Sequence, residues 1–401
     1  MNWILIRYID KYLGIPLVYL VFYLRKLFGY VHHRKEFKEY NDVLLMKFWG
    51  IGNTLMLLPS AQALKERYPG CRLTFLTLSS NKGVVEHTAL FDEVFYLTTK
   101  NPFSFFFNTL RALLRLRKRK FDAIIDFEQF ARFSALLCAL IDAKKTIGFK
   151  TRGQHRHFVY TDPVAYNNDI HMAKTFYSLV ERCGILRQET IRPYLLNCAI
   201  NDLRSVEIYL EKMRKNAAGP IILMHAGTSE NFSLRRWPPR FFSRLANMLI
   251  AAFDAGIVLT ALTDEKQLAD EVYEAIEKKE NVLNTAGVLN FGEFIAFIKK
   301  SSLVISADTA AVHIGSCLAV PTAGLYGPNT PLLYGPWGEK SIWFYKRLNC
   351  SPCITNYNSK INTCHHPLAQ GACMSAISPE EVFDELKKTY FDDNARFTLH
   401  Y

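Results

Sequence analysis

The chain lacks any long internal repeat or low-complexity tract, which sets aside solenoids, fibres and disordered scaffolds. Its nine cysteines among 401 residues are too sparse for a secreted disulfide framework. No small-residue cleavage site follows the apolar N-terminus, so a reducing cytosol is the expected compartment. Acidic residues are the minority: 37 Asp and Glu against 49 Lys and Arg leave a net charge of +12. The excess is local, about +4 in residues 1–40 and about +8 in residues 101–160. A basic face of this kind suits nucleic acid, anionic lipid or a phosphorylated substrate. No basic-aromatic nucleic-acid motif accompanies it, so nucleic acid is not an expected partner.

The N-terminal MNWILIRYIDKYLGIPLVYLVFYLRKLFGY is apolar and aromatic, but its longest uncharged run, Tyr12 to Leu24, is too short to cross a bilayer. Two readings stand for residues 1–40. The segment lies in a membrane interface with Arg7, Lys11, Arg25 and Lys26 toward lipid phosphates, or it packs on the protein's own core.

From Asp42 onward, short apolar runs alternate with amphipathic ones. VLLMKFW, CRLTFLTL, FDEVFYL, FDAIIDFE and KTIGF read as strands; TLMLLPSAQALKERYPG, FFFNTLRALLRLRKRK and RFSALLCALIDA read as helices, with GIGN a turn before the first. A loop-rich stretch from Lys150 to Asn168 and a helix over Met172–Cys183 follow. After Gly219-Pro220 the alternation resumes, with strands PIILMHA, GIVLTAL, NVLNTAG and LVISA between helices. The pattern predicts an α/β protein of two doubly wound, Rossmann-like halves, over 41–200 and 201–401, with a cleft between them and ligands beyond the carboxyl ends of the strands.

Three stretches carry candidate chemistry. In SADTAAVHIGSCLAVPTAGLYGP a strand ends at Ala307 and Thr309-Ala310-Ala311 open a helix, whose free amides suit a phosphate. Asp308 would accept hydrogen bonds from sugar hydroxyls, or merely cap the helix with His313 a core histidine. In HAGTSENFSLRRWPPRFF a strand-end loop presents Thr228, Ser229, Arg235 and Arg236, which suit an oxyanion, before Trp237-Pro238-Pro239 starts a helix. The bland alternative is a surface loop with solvated arginines. In LTDEKQLADE, Glu265 follows a strand and suits a ribose diol, or is a plain acid at a helix start.

RRWP, then Glu265, then DTAAVH and PTAGLYGP, preceded by GIGNTLMLLPSAQALKERYP, resemble in this order the heptosyltransferase family, glycosyltransferase family nine. The similarity runs from about residue 43 to 388. It implies the glycosyltransferase B fold and an inverting transfer that requires no metal for chemistry. The C-terminal domain would hold a nucleotide sugar, ADP-heptose by family default, and the N-terminal domain a lipid-linked, phosphorylated lipopolysaccharide-core acceptor. By the same match Thr228, Ser229 and Arg235, with Arg236 beside it, belong to the diphosphate, Glu265 to the ribose and Asp308 to the donor sugar. The Thr309 and Ala310 amides belong to phosphate, with His313 in the same helix. The implied address is cytoplasmic, peripheral on the inner face of the inner membrane, against an anionic surface.

Two positions depart from the family pattern. Gly52-Asn53 stands where an acid is the usual proposed base, and asparagine cannot take a proton. Glu128, in IIDFEQFAR, is then the expected base, with a structural pair to Arg132 as its alternative. Ala310 replaces the usual glycine. Cys350, Cys353, Cys364 and Cys373 form C-x2-C-x10-C-x8-C beside His365 and His366, which fits a structural metal, a labile disulfide or free packed thiols. Two further functional classes remain: a non-catalytic binder of sugar nucleotides in envelope assembly, and a sugar-nucleotide epimerase.

Overall fold

Leucine, valine and isoleucine runs buried on both faces make parallel strands, because only a sheet covered by helices on both sides hides them completely. The computed structural model describes residues 3–27, 39–355, 357, 363–364, 366–367 and 369–392. The chain divides into two compact units, Met1–Tyr194 and Leu195–Tyr401.

The first unit contains helices α1 (Trp3–Tyr12) and α2 (Gly14–Leu27), strand β1 (Asp42–Met46), α3 (Ile51–Arg67), β2 (Arg72–Leu78), α4 (Lys82–Glu86) and β3 (Glu93–Leu97). It continues with α5 (Pro102–Arg117), β4 (Phe121–Asp126), α6 (Arg132–Leu140), β5 (Ala143–Lys150), β6 (Asp162–Ala165) and α7 (Met172–Val180). Its six strands lie in the order β3-β2-β1-β4-β5-β6, with every neighbour parallel.

The second unit opens with α8 (Ile200–Met213), β7 (Ile221–His225), α9 (Pro239–Phe253), β8 (Gly256–Thr260), α10 (Lys266–Glu274), β9 (Val282–Asn284) and α11 (Phe291–Lys300). It ends with β10 (Leu303–Ala307), α12 (Ala310–Cys317), β11 (Thr322–Tyr326), α13 (Pro331–Tyr334), β12 (Ser341–Tyr345), α14 (Ala372–Ser375) and α15 (Pro379–Leu386). Its order, β9-β8-β7-β10-β11-β12, repeats that of the first unit strand for strand. In each sheet the chain reverses direction of winding beside its first strand, between β1 and β4 and between β7 and β10, where open parallel sheets place their ligand crevice.

Several boundaries differ from the sequence reading. GIGN is not a free turn: α3 starts at Ile51, and only Gly50, at φ 91, lies outside it. Pro59 sits inside α3 although it removes a backbone donor. Continuous burial from Thr54 to Ala61 offsets the loss. Strand β6 lies within the stretch read as loop, and α8 lies in a span to which the sequence reading assigned no element, although its buried Val206, Leu210 and Met213 fall at helical spacing. The last helix is capped as its sequence suggests, the Ser378 hydroxyl accepting the Glu381 amide at 3.1 Å. The second core is centred on Trp237, which is packed edge-on against Phe242 and donates its indole NH to the Ile377 carbonyl. That bond ties RRWP to the segment leading into α15.

Candidate active site

The crevice of the second unit is built by the loop after β7 and the start of α12. Strands β7 and β10 are neighbours, with His225 opposite Ser306, so both loops leave the same sheet edge. After β7 the backbone turns sharply: Ser229 has φ 63 and ψ 149, a region that suits glycine and costs a serine about 1–3 kcal/mol. Glu265, in the turn after β8, holds this conformation. One oxygen accepts the Thr228 amide at 3.1 Å and the other the Ser229 amide at 2.9 Å. Gly227 is required here, since a Cβ would fall 2.4 Å from Glu265 Oε2.

Arg236 completes the clamp, its Nη2 2.8 Å from Glu265 Oε1. Glu265 is only 2% exposed. The carboxylate read as a ribose contact and the arginine read as a phosphate contact are therefore already engaged with each other and with the loop. Their first effect is to fix where Thr228 and Ser229 stand.

Arg235 points the other way. Its Nη1 lies 3.0 Å from Asp308 Oδ2 and donates to the Asp308 carbonyl at 3.2 Å, while the guanidinium stacks over Phe232 at 4.3 Å. Asn329, after β11, donates to the same carboxylate oxygen at 2.6 Å. The arginine of one loop and the residues opening α12 thus meet in one place.

Asp308 is not the helix cap. Thr309 has the extended backbone of that position, and its Oγ1 accepts the Ala311 amide at 3.2 Å and pairs with Ser306 Oγ at 2.9 Å. This frees the Asp308 carboxylate for Arg235 and leaves the Thr309 and Ala310 amides at the helix start, where no intrahelical carbonyl reaches them. His313 lies further inside α12, buried with its ring 5.7 Å from that of Trp337, as its reading as a core histidine requires.

Thr228 Oγ1 and Arg235 Nε, like Arg236 Nε in the clamp, are buried without a hydrogen-bond partner among the described residues. Buried polar atoms are nearly always satisfied, so such a pair beside a helix start is the arrangement a ligand completes. One participant escaped the sequence reading. His225, at the end of β7, is 2.9 Å from Thr260 Oγ1, and burial lowers its pKa to about 4, against the opposing pull of Glu265. It is neutral at ordinary pH.

The first unit has a different centre. Glu128, beyond β4, accepts the Phe48 amide at 2.8 Å and the Trp49 amide at 3.1 Å with one oxygen. Its other oxygen is 3.0 Å from Lys47 Nζ, which also donates to Gln129. The pair expected between Glu128 and Arg132 does not form. Arg132 binds Asp10 instead, and Asp10 accepts the amides of Arg132 and Phe133 at the start of α6.

Glu128 is 4% exposed and Lys47 1%. Burial lowers the lysine pKa and the adjacent carboxylate resists that shift. With both oxygens engaged, Glu128 is a clamp on the loop between β1 and α3 and not a carboxylate open to an acceptor. Asp126 is likewise committed, to Arg156 and Tyr160. Asn53 sits in the first turn of α3, and its Oδ1 is buried without a partner among the described residues. The lysine inside the apolar run VLLMKFW needs a buried counter-charge, which Glu128 supplies from more than eighty residues away.

The C-terminal cysteines do gather. Cys350, Cys353, Cys364 and Cys373 line one small cavity with His366, and all nine cysteines are free thiols. Burial, and then the neighbouring thiols, push Cys373 up to about 11. Among the described residues no group of three or more His, Cys, Asp or Glu is arranged to hold a metal ion. The four thiols are gathered around one cavity, and His365 lies outside the described residues.

A family model for Glycosyltransferase family 9 (heptosyltransferase) matches residues 110–363. Lipooligosaccharide heptosyltransferase 2 of Haemophilus influenzae is 24% identical over 312 residues, covering 75% of this chain and 87% of that protein. The Campylobacter jejuni protein of the same name is 26% identical over 161 residues, 39% of this chain and 47% of that protein. Among solved structures, a glycosyl transferase family 9 protein from Veillonella parvula superposes with a TM-score of 0.72 at 19% identity, covering 87% of this chain and 97% of that one. The Escherichia coli ADP-heptose lps heptosyltransferase II gives 0.67 at 17% identity, covering 86% and 97%. These likenesses show a shared glycosyltransferase B fold of two Rossmann-like units.

Proposed function

Since the chain belongs to glycosyltransferase family 9, we propose that its second unit binds a nucleotide sugar, with the diphosphate between Arg235 and the head of α12. The observation that carries this is the convergence of Arg235, Asp308 and the unpartnered Thr228 hydroxyl at one helix start. As the bond to the leaving diphosphate breaks, negative charge grows on it. Arg235 and the Thr309 and Ala310 amides neutralise that charge where it develops. Asp308, tied to Arg235 and Asn329, orients the guanidinium and accepts hydrogen bonds from the donor sugar.

The reaction in this reading is an inverting transfer: an acceptor hydroxyl attacks the anomeric carbon and nucleoside diphosphate departs. The donor is ADP-heptose, the sugar nucleotide for which the similar Escherichia coli enzyme is named. The acceptor is a lipid-linked lipopolysaccharide-core or related envelope glycan held by the first unit, at the cytoplasmic side of an anionic membrane. The free Oδ1 of Asn53 accepts a hydrogen bond from the acceptor hydroxyl and positions it without removing its proton.

The engagement of Glu128 with Lys47 favours one other reading, a binder of sugar nucleotides without turnover. Release of ADP from ADP-heptose, followed by chromatography with and without core-oligosaccharide acceptors, separates the two. Acceptor-dependent ADP release supports transfer; tight donor binding with no release across the acceptor panel supports the binder.

A further inference from the structure

Helix α5 is amphipathic with its apolar side outward. Phe103, Phe106, Phe107, Leu110 and Leu114 recur at helical spacing, and all are exposed, Phe103 at 78% and Phe107 at 63%. Only Ala112 and Leu116 of this helix are buried. A helix of a soluble protein normally hides such a stripe. The basic residues Arg111, Arg115 and Lys118 continue along the exposed side, and α5 contains no acid. Among the described residues none of these three cations forms an ion pair.

A second exposed stripe lies on the same unit. In α2, Leu17, Leu20, Tyr23, Leu24 and Leu27 are exposed, ending beside Arg25 and Lys26. The two helices are seated on a common support, α6. Asp10 of α1 binds the first amides of α6, Gly14 packs against Arg132, and Phe105 of α5 packs at a tilt against Phe133, ring centres 5.3 Å apart. The N-terminal helices are therefore docked on the protein through one side, and α2 presents the other. No helix among the described residues is long and apolar enough to cross a membrane.

We propose that the outward face of α5, together with α2, is a docking surface for an anionic lipid bilayer, with the phenylalanines entering the headgroup region and Arg111, Arg115 and Lys118 meeting lipid phosphates. A second copy of the chain is a poorer occupant, because pairing α5 with itself brings rows of like charge together. Aromatic and leucine side chains flanked by cations match what an interfacial helix needs. This deepens the membrane part of the proposed function by assigning it to a surface, and it places α5 beside the N-terminal helices as a second contact.

The test is cosedimentation of the full chain with phosphatidylcholine vesicles, with and without phosphatidylglycerol, at low and high salt. Wild-type protein is expected on the anionic vesicles only, and less so at high salt. Each cation near the surface contributes about fivefold, so Arg111→Gln with Arg115→Gln weakens binding on the order of 25-fold. Phe106→Ser with Phe107→Ser releases the protein from vesicles. Thermal stabilisation by ADP, measured on the same samples, reports folding and tests the nucleotide site separately. Unaltered vesicle binding by both α5 double variants overturns the proposal, as does a wild-type protein that ignores anionic vesicles. A dimer in light scattering that dissociates in the phenylalanine variant also overturns it, by assigning the face to a second copy.

Discussion

The two units use the same strand order and fill the same crevice differently. In the first, Glu128 beyond β4 both clamps the loop after β1, through the Phe48 and Trp49 amides, and neutralises the cation of that loop, Lys47. In the second, these tasks fall to two acids. Glu265 beyond β8 takes the amides of the loop after β7, and Asp308 beyond β10 faces the loop's cation, Arg235. Where one acid does both, acid and cation satisfy each other, and the atom left unpartnered is Asn53 Oδ1 in the helix that follows the loop. Where two acids share the work, a hydroxyl and a guanidinium NH are left unpartnered, and there a ligand has something to gain.

The sharpest way to break this comparison is to remove the first unit's acid. Glu128→Gln leaves Lys47 buried without a counter-charge, and breaking a buried pair from one side costs about 3–5 kcal/mol. Urea unfolding should show that loss, and adding Lys47→Met should recover most of it. A catalytic base would behave otherwise: Glu128→Gln would abolish transfer with little change in the unfolding midpoint, and Lys47→Met would restore nothing.

In the second unit the largest effect is expected on chemistry. In the proposed reaction Arg235 would meet the departing diphosphate, so Arg235→Ala should lower kcat about 10²–10³-fold, the usual cost of one preorganised donor. Steady-state rates of ADP release check it. A fall confined to KM would mean that Arg235 acts only on the ground state.

Smaller effects should follow the loop and its strand. His225 has a folded pKa near 4, below the ordinary value of about 6.5. The unfolded chain therefore takes up the proton first as pH falls. The contribution is complete above about pH 6.5 and is lost progressively toward pH 4, on the order of 2 kcal/mol. His225→Gln should flatten that part of the stability profile; an unchanged slope would assign the acid sensitivity to other groups. Ser229→Gly, at φ 63, should raise stability by about 1 kcal/mol by relieving backbone strain. A loss would mean that the serine hydroxyl makes up for the strain.

The fold was largely legible because the physics is local. VLLM, FDAIID, IILMH and LVISA are short, apolar and separated by capped amphipathic helices, which is the pattern of a buried parallel sheet. The meeting of Arg235 and Asp308 was legible for a related reason: each follows a strand, and neighbouring strands bring their ends together. What escaped depends on partners distant in sequence. Nothing near Glu128 names Lys47, nothing near Arg132 names Asp10, and nothing near Glu265 says that it will accept amides from a loop more than thirty residues earlier. Strand β12 and helix α8 were missed because SIWFY is only partly buried and α8 is mostly polar.

The most direct test of the divided labour in the second unit is calorimetric titration of ADP into three proteins: wild type, Arg235→Ala, and the double variant Glu128→Gln/Lys47→Met. ADP should bind the wild type and the double variant alike, with Arg235→Ala weakened by tenfold or more. Equal affinity for Arg235→Ala and wild type, or a loss confined to the double variant, would place the diphosphate outside the crevice between β7 and β10 and contradict the account.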